Sequence, residues 1–175
     1  MGYVHDVNMA IWVAPTKFMH SQGTWTTKET ATADVWCVER TANNNTYNSF
    51  IPLKPPQNSN AYKGSKLVSV DIGYIVTAAG GALDSLIPVI YKVTKQIDGA
   101  ALVAGSATLL AFGYDLGHDT AGERAAAGNH WMTLTLTTPL WMDDDDLYFV
   151  EVASDGSAGS VHEFLGARVN FTLRM

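Results

Sequence analysis

The sequence predicts an all-β protein, an antiparallel β-sandwich, and two observations carry that prediction. Apolar and polar residues alternate over long stretches of the C-terminal two thirds, and glycine-containing turn sequences separate these stretches. Because a period of two places successive side chains on opposite faces of a strand, one set can share a dry interior while the other faces water. The chain has 175 residues, which is the length of one domain with its own core.

The clearest strand predictions cover residues 66–77, 130–138, 147–153 and 161–173. In the second of these, methionine and leucine alternate with threonine, whose β-branched side chain suits the wet face of a strand. Two weaker candidates are 87–93, with a proline near its start, and 102–112, which a glycine interrupts. About six strands at this spacing are typical of a sandwich.

The N-terminal third has few sustained apolar runs but is rich in aromatic residues. Shorter strand candidates occur at 10–13, 34–40 and 46–53. We interpret residues 1–33 as an extended N-terminal arm and residues 34–175 as a single β-sandwich domain. Helical patterning is poor, and the best helix candidate is the Ala-rich segment 119–127, with a possible Asp or Thr cap.

Composition argues against several classes of protein. The formal net charge is -6, and the lysines never form a basic run, so we expect no nucleic-acid partner. Cys37 is the single cysteine, which rules out an intrachain disulfide or a cysteine-based zinc cluster. No apolar run approaches the ~18 residues of a membrane span, and the start lacks the features of a secretory signal, so no membrane partner is expected.

Four consecutive aspartates, Asp143, Asp144, Asp145 and Asp146, precede the strand candidate 147–153. Clustered carboxylates can bind Ca²⁺ through their oxygen atoms. Here the residues lack the alternate spacing and central glycine of a calcium loop, so we favour a solvated turn whose charge protects a strand end. We predict no bound cofactor.

A second polar segment, 114–124, holds Asp115, His118, Asp119 and Glu123. A histidine with nearby carboxylates could bind a divalent metal or act as a general acid–base pair. No other histidine repeats a ligand spacing, so a polar loop that caps backbone groups is the favoured interpretation.

Nucleophilic catalysis finds little support in the sequence. No Gly-x-Ser-x-Gly motif and no phosphate-binding Gly-Lys-Ser/Thr loop occurs. Cys37 alternates with tryptophan and valine in a strand candidate, which indicates a buried structural thiol. We therefore predict that the protein is not an enzyme.

Aromatic residues cluster in or next to the predicted arm. Tryptophan is enriched at protein–protein interfaces because it buries a large area at a small entropic cost. We therefore predict a subunit interface formed by Trp12, Phe18, Trp25 and Trp36. The alternative is a sugar-stacking platform, as in carbohydrate-binding modules, and an exposed coplanar pair of Trp or Tyr side chains beside polar donors would favour it.

Several segments resemble small β-sandwich virion proteins of tailed bacteriophages. The resemblance covers about residues 66–175 and lies in the style and order of the segments KLVSVDIGYIVTAA, YDLGHDTAGER, HWMTLTLTTPLWMDDDDLYFVEV and GARVNFTLRM. It implies a jelly-roll-like, non-enzymatic protein, often trimeric, on a capsid or tail surface. A symmetric assembly would also cover the sheet edges that a jelly roll leaves open.

The expected function is that of a structural virion protein. Residues 1–56 contain few basic side chains, namely Lys17, Lys28, Arg40 and Lys54, whereas a genome-facing shell would need a basic interior arm. We therefore expect a capsid decoration or cement protein on the particle exterior, a homotrimer whose partners are its own copies and the major capsid or other virion proteins. The alternatives are a tail or fibre component, a carbohydrate- or receptor-binding module, and an enzyme built on Asp115, His118 and Asp119.

Overall fold

The computed structural model describes residues 5–30, 34–54, 64–77, 85–94, 107–143, 145–155 and 159–174. Within these ranges the chain forms two antiparallel sheets that pack face to face as a sandwich. The predicted all-β sandwich is thus confirmed. The jelly-roll-like connectivity implied by the resemblance stays a prediction.

The strands, in chain order, are β1 (Asp6–Val13), β2 (Met19–His20), β3 (Trp25–Glu29), β4 (Trp36–Arg40), β5 (Tyr47–Pro52), β6 (Ser65–Val76), β7 (Ser85–Thr94), β8 (Ala107–Leu110), β9 (Phe112–Tyr114), β10 (Gly128–Trp141), β11 (Asp146–Asp155) and β12 (His162–Arg174). A short 3-10 turn, Pro15–Lys17, follows β1, and the helix α1 covers Ala121–Arg124. The helix is shorter than the predicted 119–127.

The larger sheet has seven strands and the smaller sheet has five. In the larger sheet the order is β3-β4-β12-β6-β10-β9, and β1 pairs with β12. The order in the smaller sheet is β2-β5-β11-β7-β8. Along one side of β12, strand β4 pairs with its first residues and β1 with its last eight, from Ala167 to Arg174.

The core lies between the two sheets and takes the inward-facing residues of the long strands. Alternation in β6, β10, β11 and β12 supplies most of these side chains, as the sequence period predicts. The largest fully buried apolar side chains are Ile51, Leu67, Ile72, Tyr74, Leu86, Ile90, Met132, Leu134, Phe164 and Phe171. Burial of a side chain of this size stabilises the fold by about 1.5–3 kcal/mol relative to exposure.

The strand predicted over 102–112 is wrong in one respect. Residues 102–106 lie outside the described ranges, and the rest divides at Ala111 into β8 and β9. Strand β8 pairs with β7 in the smaller sheet, whereas β9 pairs with β10 in the larger one. The chain therefore crosses between the sheets at this point, which local alternation cannot reveal.

The extended arm predicted over residues 1–33 is not confirmed. All of β1 pairs with β12, from Asp6 opposite Arg174 to Val13 opposite Ala167. Phe18 is only 6% exposed and packs in the core, with its ring 6.0 Å from that of Phe164. Strand β4 covers only the start of β12, so β1 provides partners for backbone groups that the rest of this side of β12 would otherwise lack.

Candidate functional sites

The outer face of the larger sheet carries two parallel tryptophans. The ring centroids of Trp12 and Trp131 lie 5.6 Å apart, and their planes differ by 7°. The residues are 52% and 42% exposed, respectively. Large apolar side chains of this kind normally lose most of their exposed area on folding, so this pair presents an unusual aromatic surface to solvent.

Two strand glycines make room for these indoles. Gly73 of β6 lies opposite both Gly166 of β12 and Trp131 of β10. A Cβ at Gly73 would come within 2.3 Å of Trp131 Cζ3, and one at Gly166 within 2.6 Å of Trp12 Cζ2. Each indole therefore packs directly against the backbone of a neighbouring strand, as glycine in a strand permits.

A polar network lies beside the tryptophan pair, centred on Asp71 in the outward-facing row of β6. Its carboxylate accepts hydrogen bonds from Thr133 Oγ1 at 2.9 Å, Arg168 Nε at 2.7 Å and Asn170 Nδ2 at 3.0 Å. Asp71 is only 2% exposed although it faces away from the core. Its neighbours cover it while satisfying its charge, as a buried carboxylate requires.

Arg168 connects this network to the tryptophans. It is the direct cross-strand neighbour of both Trp12 and Asp71. Its guanidinium is held through Nε by Asp71, while 50% of the side chain remains exposed. The site therefore presents a tethered donor group next to an aromatic surface. We call Trp12, Trp131, Asp71 and Arg168 the tryptophan site.

The outer face of the smaller sheet is different and is mostly apolar. Apolar side chains follow one another across its five strands. Leu147 is 69% exposed and Leu109 is 62% exposed. We call this surface the apolar face and define it by Met19, Phe50, Ile87, Tyr91, Leu109, Leu147 and Phe149.

Aromatic contacts organise the centre of the apolar face. The Phe149 ring lies 5.8 Å from Phe50 and 5.3 Å from Tyr91, on the two neighbouring strands. One carboxylate, that of Glu151, accepts a 2.6 Å hydrogen bond from Asn48 Nδ2. The charge is thus engaged within the same sheet, and the surface around it remains hydrophobic.

The four residues of the predicted subunit interface do not form one surface. Phe18 is in the core, and Trp25 is half-buried with its ring stacked 3.9 Å from that of His20. Trp36 is exposed at the start of β4, on a different strand from Trp12. Their role in subunit contacts stays a prediction.

The sequence reasoning missed Trp131 as the partner of Trp12. A signal was present, because Gly73 and Gly166 interrupt two otherwise well-patterned strands. Isolated glycines in strands often indicate close approach by another group. Only the strand register shows that this group is an indole in each case.

The aspartate-rich turn is held together by its own hydrogen bonds. Tyr148 Oη accepts from the backbone N–H of Asp143 at 2.9 Å and donates to Asp146 Oδ2 at 3.1 Å. Lys92 Nζ lies 2.7 Å from the same Asp146 oxygen, and this contact lowers the pKa of the Asp146 carboxyl. Asp145 donates its N–H to Asp143 Oδ1 at 3.0 Å, and Asp144 lies outside the described residues.

In the part of the chain that the structure describes, no three His, Cys, Asp or Glu side chains are grouped to hold a metal ion. The candidate calcium ligands serve other contacts: Asp146 pairs with Lys92, and Asp143 closes the turn. This arrangement is that of a structural turn.

The side chains of the polar loop before α1 also make hydrogen bonds that hold the loop in place. Asp115 Oδ1 lies 3.0 Å from His118 Nδ1 and accepts the Thr133 backbone N–H at 2.8 Å. His118 Nε2 lies 3.3 Å from His130 Nδ1. Asp119 contributes its backbone carbonyl, which accepts from Arg124 Nη1 at 3.1 Å. These groups fix the loop against β10 and α1.

A capping box begins α1. Thr120 Oγ1 accepts from the Glu123 N–H at 3.2 Å, and Glu123 Oε2 accepts from the Thr120 N–H at 2.8 Å. The second of these bonds contributes most to lowering the pKa of the Glu123 carboxyl. Both side chains therefore satisfy orphan donors of the helix terminus.

Cys37 is fully buried in β4, and burial raises the pKa of its thiol to about 11. A thiol in this state carries almost no thiolate at neutral pH, which makes it a poor nucleophile. Next to it, Lys28 bridges two carboxylates, those of Glu39 and Glu163, which face each other across β4 and β12. This ion triplet stabilises the outer side of the larger sheet.

No protein-family model matches this sequence, and no curated protein matches it. Within the described ranges, no helix has the length and apolar character needed to cross a bilayer.

Proposed function

We propose that this chain is a structural subunit that assembles through the apolar face of its smaller sheet. The observation that carries the proposal is the set of exposed apolar side chains there, with Leu109, Leu147 and Met19 each more than half exposed. Monomeric soluble proteins rarely expose contiguous apolar patches of this kind, and larger ones mark interaction surfaces.

The chemistry of the apolar face favours a second copy of the same chain as its occupant. Two identical patches meet across a twofold interface, and any unpaired charge in the patch would then oppose an equivalent charge of the same sign. Glu151 accepts a hydrogen bond from Asn48 within the sheet but keeps its negative charge, so a twofold axis that passes away from Glu151 would keep the two copies of this charge apart. Apolar association needs no complementary partner of opposite charge.

A place on the exterior of a virion, as a capsid decoration or cement protein, extends this proposal. It is supported by the resemblance of residues 66–175 to phage virion proteins and by the low charged fraction of 16%, which suits constitutive packing. A tail or fibre component would use the same apolar contacts. The predicted homotrimer would need a further, threefold contact besides the twofold pairing of the apolar faces, and it stays a prediction, as does contact with the major capsid protein.

A non-catalytic role is supported by the state of the reactive groups. The Cys37 thiol is buried with a raised pKa, and Asp115 and His118 are used to hold their loop. The function we propose therefore consists of binding and assembly rather than chemistry.

The test is sedimentation velocity of the full chain over a range of concentrations. We expect the wild type to self-associate and Leu147→Asp to dissociate it, because a buried unpaired carboxylate is costly. Leu109→Asp should act in the same way. The matched control is Leu116→Asp, which adds the same charge at a 95% exposed leucine in the loop before α1 and should change nothing.

A wild type that stays monomeric throughout the concentration series would overturn assembly through the apolar face. So would a Leu147→Asp variant with unchanged mass. Thermal melts of each variant show whether the fold is intact, which separates loss of assembly from loss of structure.

A further inference from the structure

The tryptophan site lies on the opposite outer face from the proposed assembly surface, and the argument for its role is independent. We infer that it is a binding site for neutral pyranose sugars. A pyranose ring has a flat face of C–H groups and a rim of hydroxyls, so it needs an aromatic surface and hydrogen-bonding groups together. Trp12 and Trp131 supply the first, and Arg168 with its neighbours supplies the second.

The aromatic part of the site is parallel and exposed. An indole face carries partial negative charge and attracts the polarised C–H groups of a sugar ring. The two indoles are stacked on each other, with ring centroids 5.6 Å apart and 7° between their planes, so the pair offers a sugar ring the indole surface that this contact leaves open. Because Gly73 and Gly166 let the indoles rest against the backbone, the rings are held in place before any ligand arrives.

The two glycines carry a conformational cost within their strands, which the tryptophans packed over them partly offset. Glycine inside a strand is destabilising relative to alanine because it loses more backbone freedom on folding. Gly166 also has a φ of +133°, a conformation that residues with a side chain rarely adopt. At both positions the absence of a side chain leaves room for an indole, that of Trp131 over Gly73 and that of Trp12 over Gly166.

The polar part of the site favours a neutral ligand. Asp71 compensates the charge of Arg168 from behind, at 2.7 Å, so the pair has no net charge. The half-exposed guanidinium can still donate to a hydroxyl oxygen. An anionic sugar would gain little from a cation whose charge is already paired.

The neighbours of the tryptophans favour a sugar over a protein partner. The next outward positions along β6, β10 and β12 are polar, namely Ser69, Thr133, Thr135 and Asn170. A protein-binding hot spot is usually enclosed by contacts that exclude water. Hydroxyl and amide groups at the edge of an aromatic surface instead match the mixed character of a sugar site.

The test is titration of the full chain with maltohexaose, cellohexaose and chitohexaose, followed by calorimetry and tryptophan fluorescence. We expect at least one hexaose to bind with a Kd tighter than about 1 mM. Trp12→Ala and Trp131→Ala should each weaken binding roughly tenfold or more. Trp36→Ala is the matched control, since it removes an exposed tryptophan elsewhere in the larger sheet, and binding should be unchanged.

Arg168→Gln tests the polar part separately and should weaken binding while leaving the tryptophan pair intact. Trp12→Phe keeps a ring that can pack with β12, so partial binding is expected even if Trp12→Ala melts early. The inference fails if none of the three hexaoses binds the wild type, or if Trp36→Ala weakens binding as much as Trp131→Ala.

Two further outcomes would also overturn it. Tighter binding of polygalacturonate than of any neutral hexaose would contradict the neutral ligand class. A change in sedimentation caused by Trp131→Ala, without sugar binding by the wild type, would make this surface a contact between copies. Failure of the sugar test leaves self-association through the apolar face unaffected, so the two proposals fail separately.

Discussion

On the larger sheet the outward positions carry Asp71, Arg168, threonines and two tryptophans, whereas on the smaller sheet they carry Phe50, Phe149 and exposed leucines. Both faces arise from strands with the same alternation, and both lie on the outside of one core. The polarity of an outer face is therefore independent of the fold. Under the two proposals above, the apolar face would meet another copy of the chain and the tryptophan site would meet a sugar.

The faces also differ in how they treat charge. The larger sheet buries a carboxylate on its outward side and gives it three donors. The smaller sheet holds the Glu151 carboxylate near its centre, where it accepts a side-chain hydrogen bond from Asn48. This contrast gives the strongest expected difference between the faces under mutation.

Asp71→Ala should produce the largest effect. It leaves Thr133, Arg168 and Asn170 without their shared acceptor, and we expect a loss of ~2–4 kcal/mol in the free energy of unfolding. Chemical denaturation measures this loss. Glu151→Ala is the counterpart on the apolar face and should cost ~1 kcal/mol, because it removes one hydrogen bond. Equal losses would mean that the two faces do not differ in this way.

Gly166→Ala should come next, at ~1–3 kcal/mol, because φ is +133° there and the new Cβ would approach Trp12 Cζ2 and the Val13 carbonyl. The fluorescence of Trp12 should change because its indole can no longer pack against the backbone at position 166. Gly122→Ala in α1 is the control, since nothing lies within 4 Å of the added carbon. It should be neutral or slightly stabilising. A Gly166→Ala variant as stable as wild type would remove the steric basis of the tryptophan site.

The smallest effect concerns the junction between the sheets, where His20 of β2 stacks on Trp25 of β3. Burial lowers the pKa of His20 from 6.5 to about 4. Between these values the unfolded chain binds a proton that the folded chain does not, so stability from this residue falls as pH falls through this window. Melting temperatures from pH 7 to pH 4.5 measure the slope.

His20→Gln removes the titrating group and should reduce that slope while leaving other contributions in place. A slope identical to that of wild type would show that His20 does not titrate differently on folding.

Much of the fold is visible in the sequence. Alternation of residue types in β6, β10, β11 and β12 predicts these strands, although both faces are buried over Ser69 to Tyr74 in the centre of β6. The predicted strand 10–13 covers only the second half of β1, although Val7, Met9, Ile11 and Val13 already alternate with other residues. Its pairing with β12 joins the two ends of the chain, and contacts at that separation leave no local signal.

The two candidate sites were harder to predict from the sequence than the strands, because each depends on how the strands are aligned with their neighbours. Asp71 occupies an outward position of β6 and reads as a solvent-facing charge, yet its cross-strand neighbours cover it. Trp12 was singled out for its residue type, but its partner Trp131 could not be named, since two strands separate them. The sequence did not reveal the apolar face, because strands such as β7 and β11 still show alternation when some of their outward residues are apolar.

Radical footprinting of the wild-type chain at low and high concentration tests the division of roles between the faces most directly, because it labels exposed aromatic and sulfur-containing side chains. We expect Met19, Tyr91 and Phe149 to lose labelling as the chain self-associates, while Trp12 and Trp131 keep theirs until a hexaose is added. Protection of Trp12 and Trp131 on self-association, with Met19, Tyr91 and Phe149 still labelled, would contradict it.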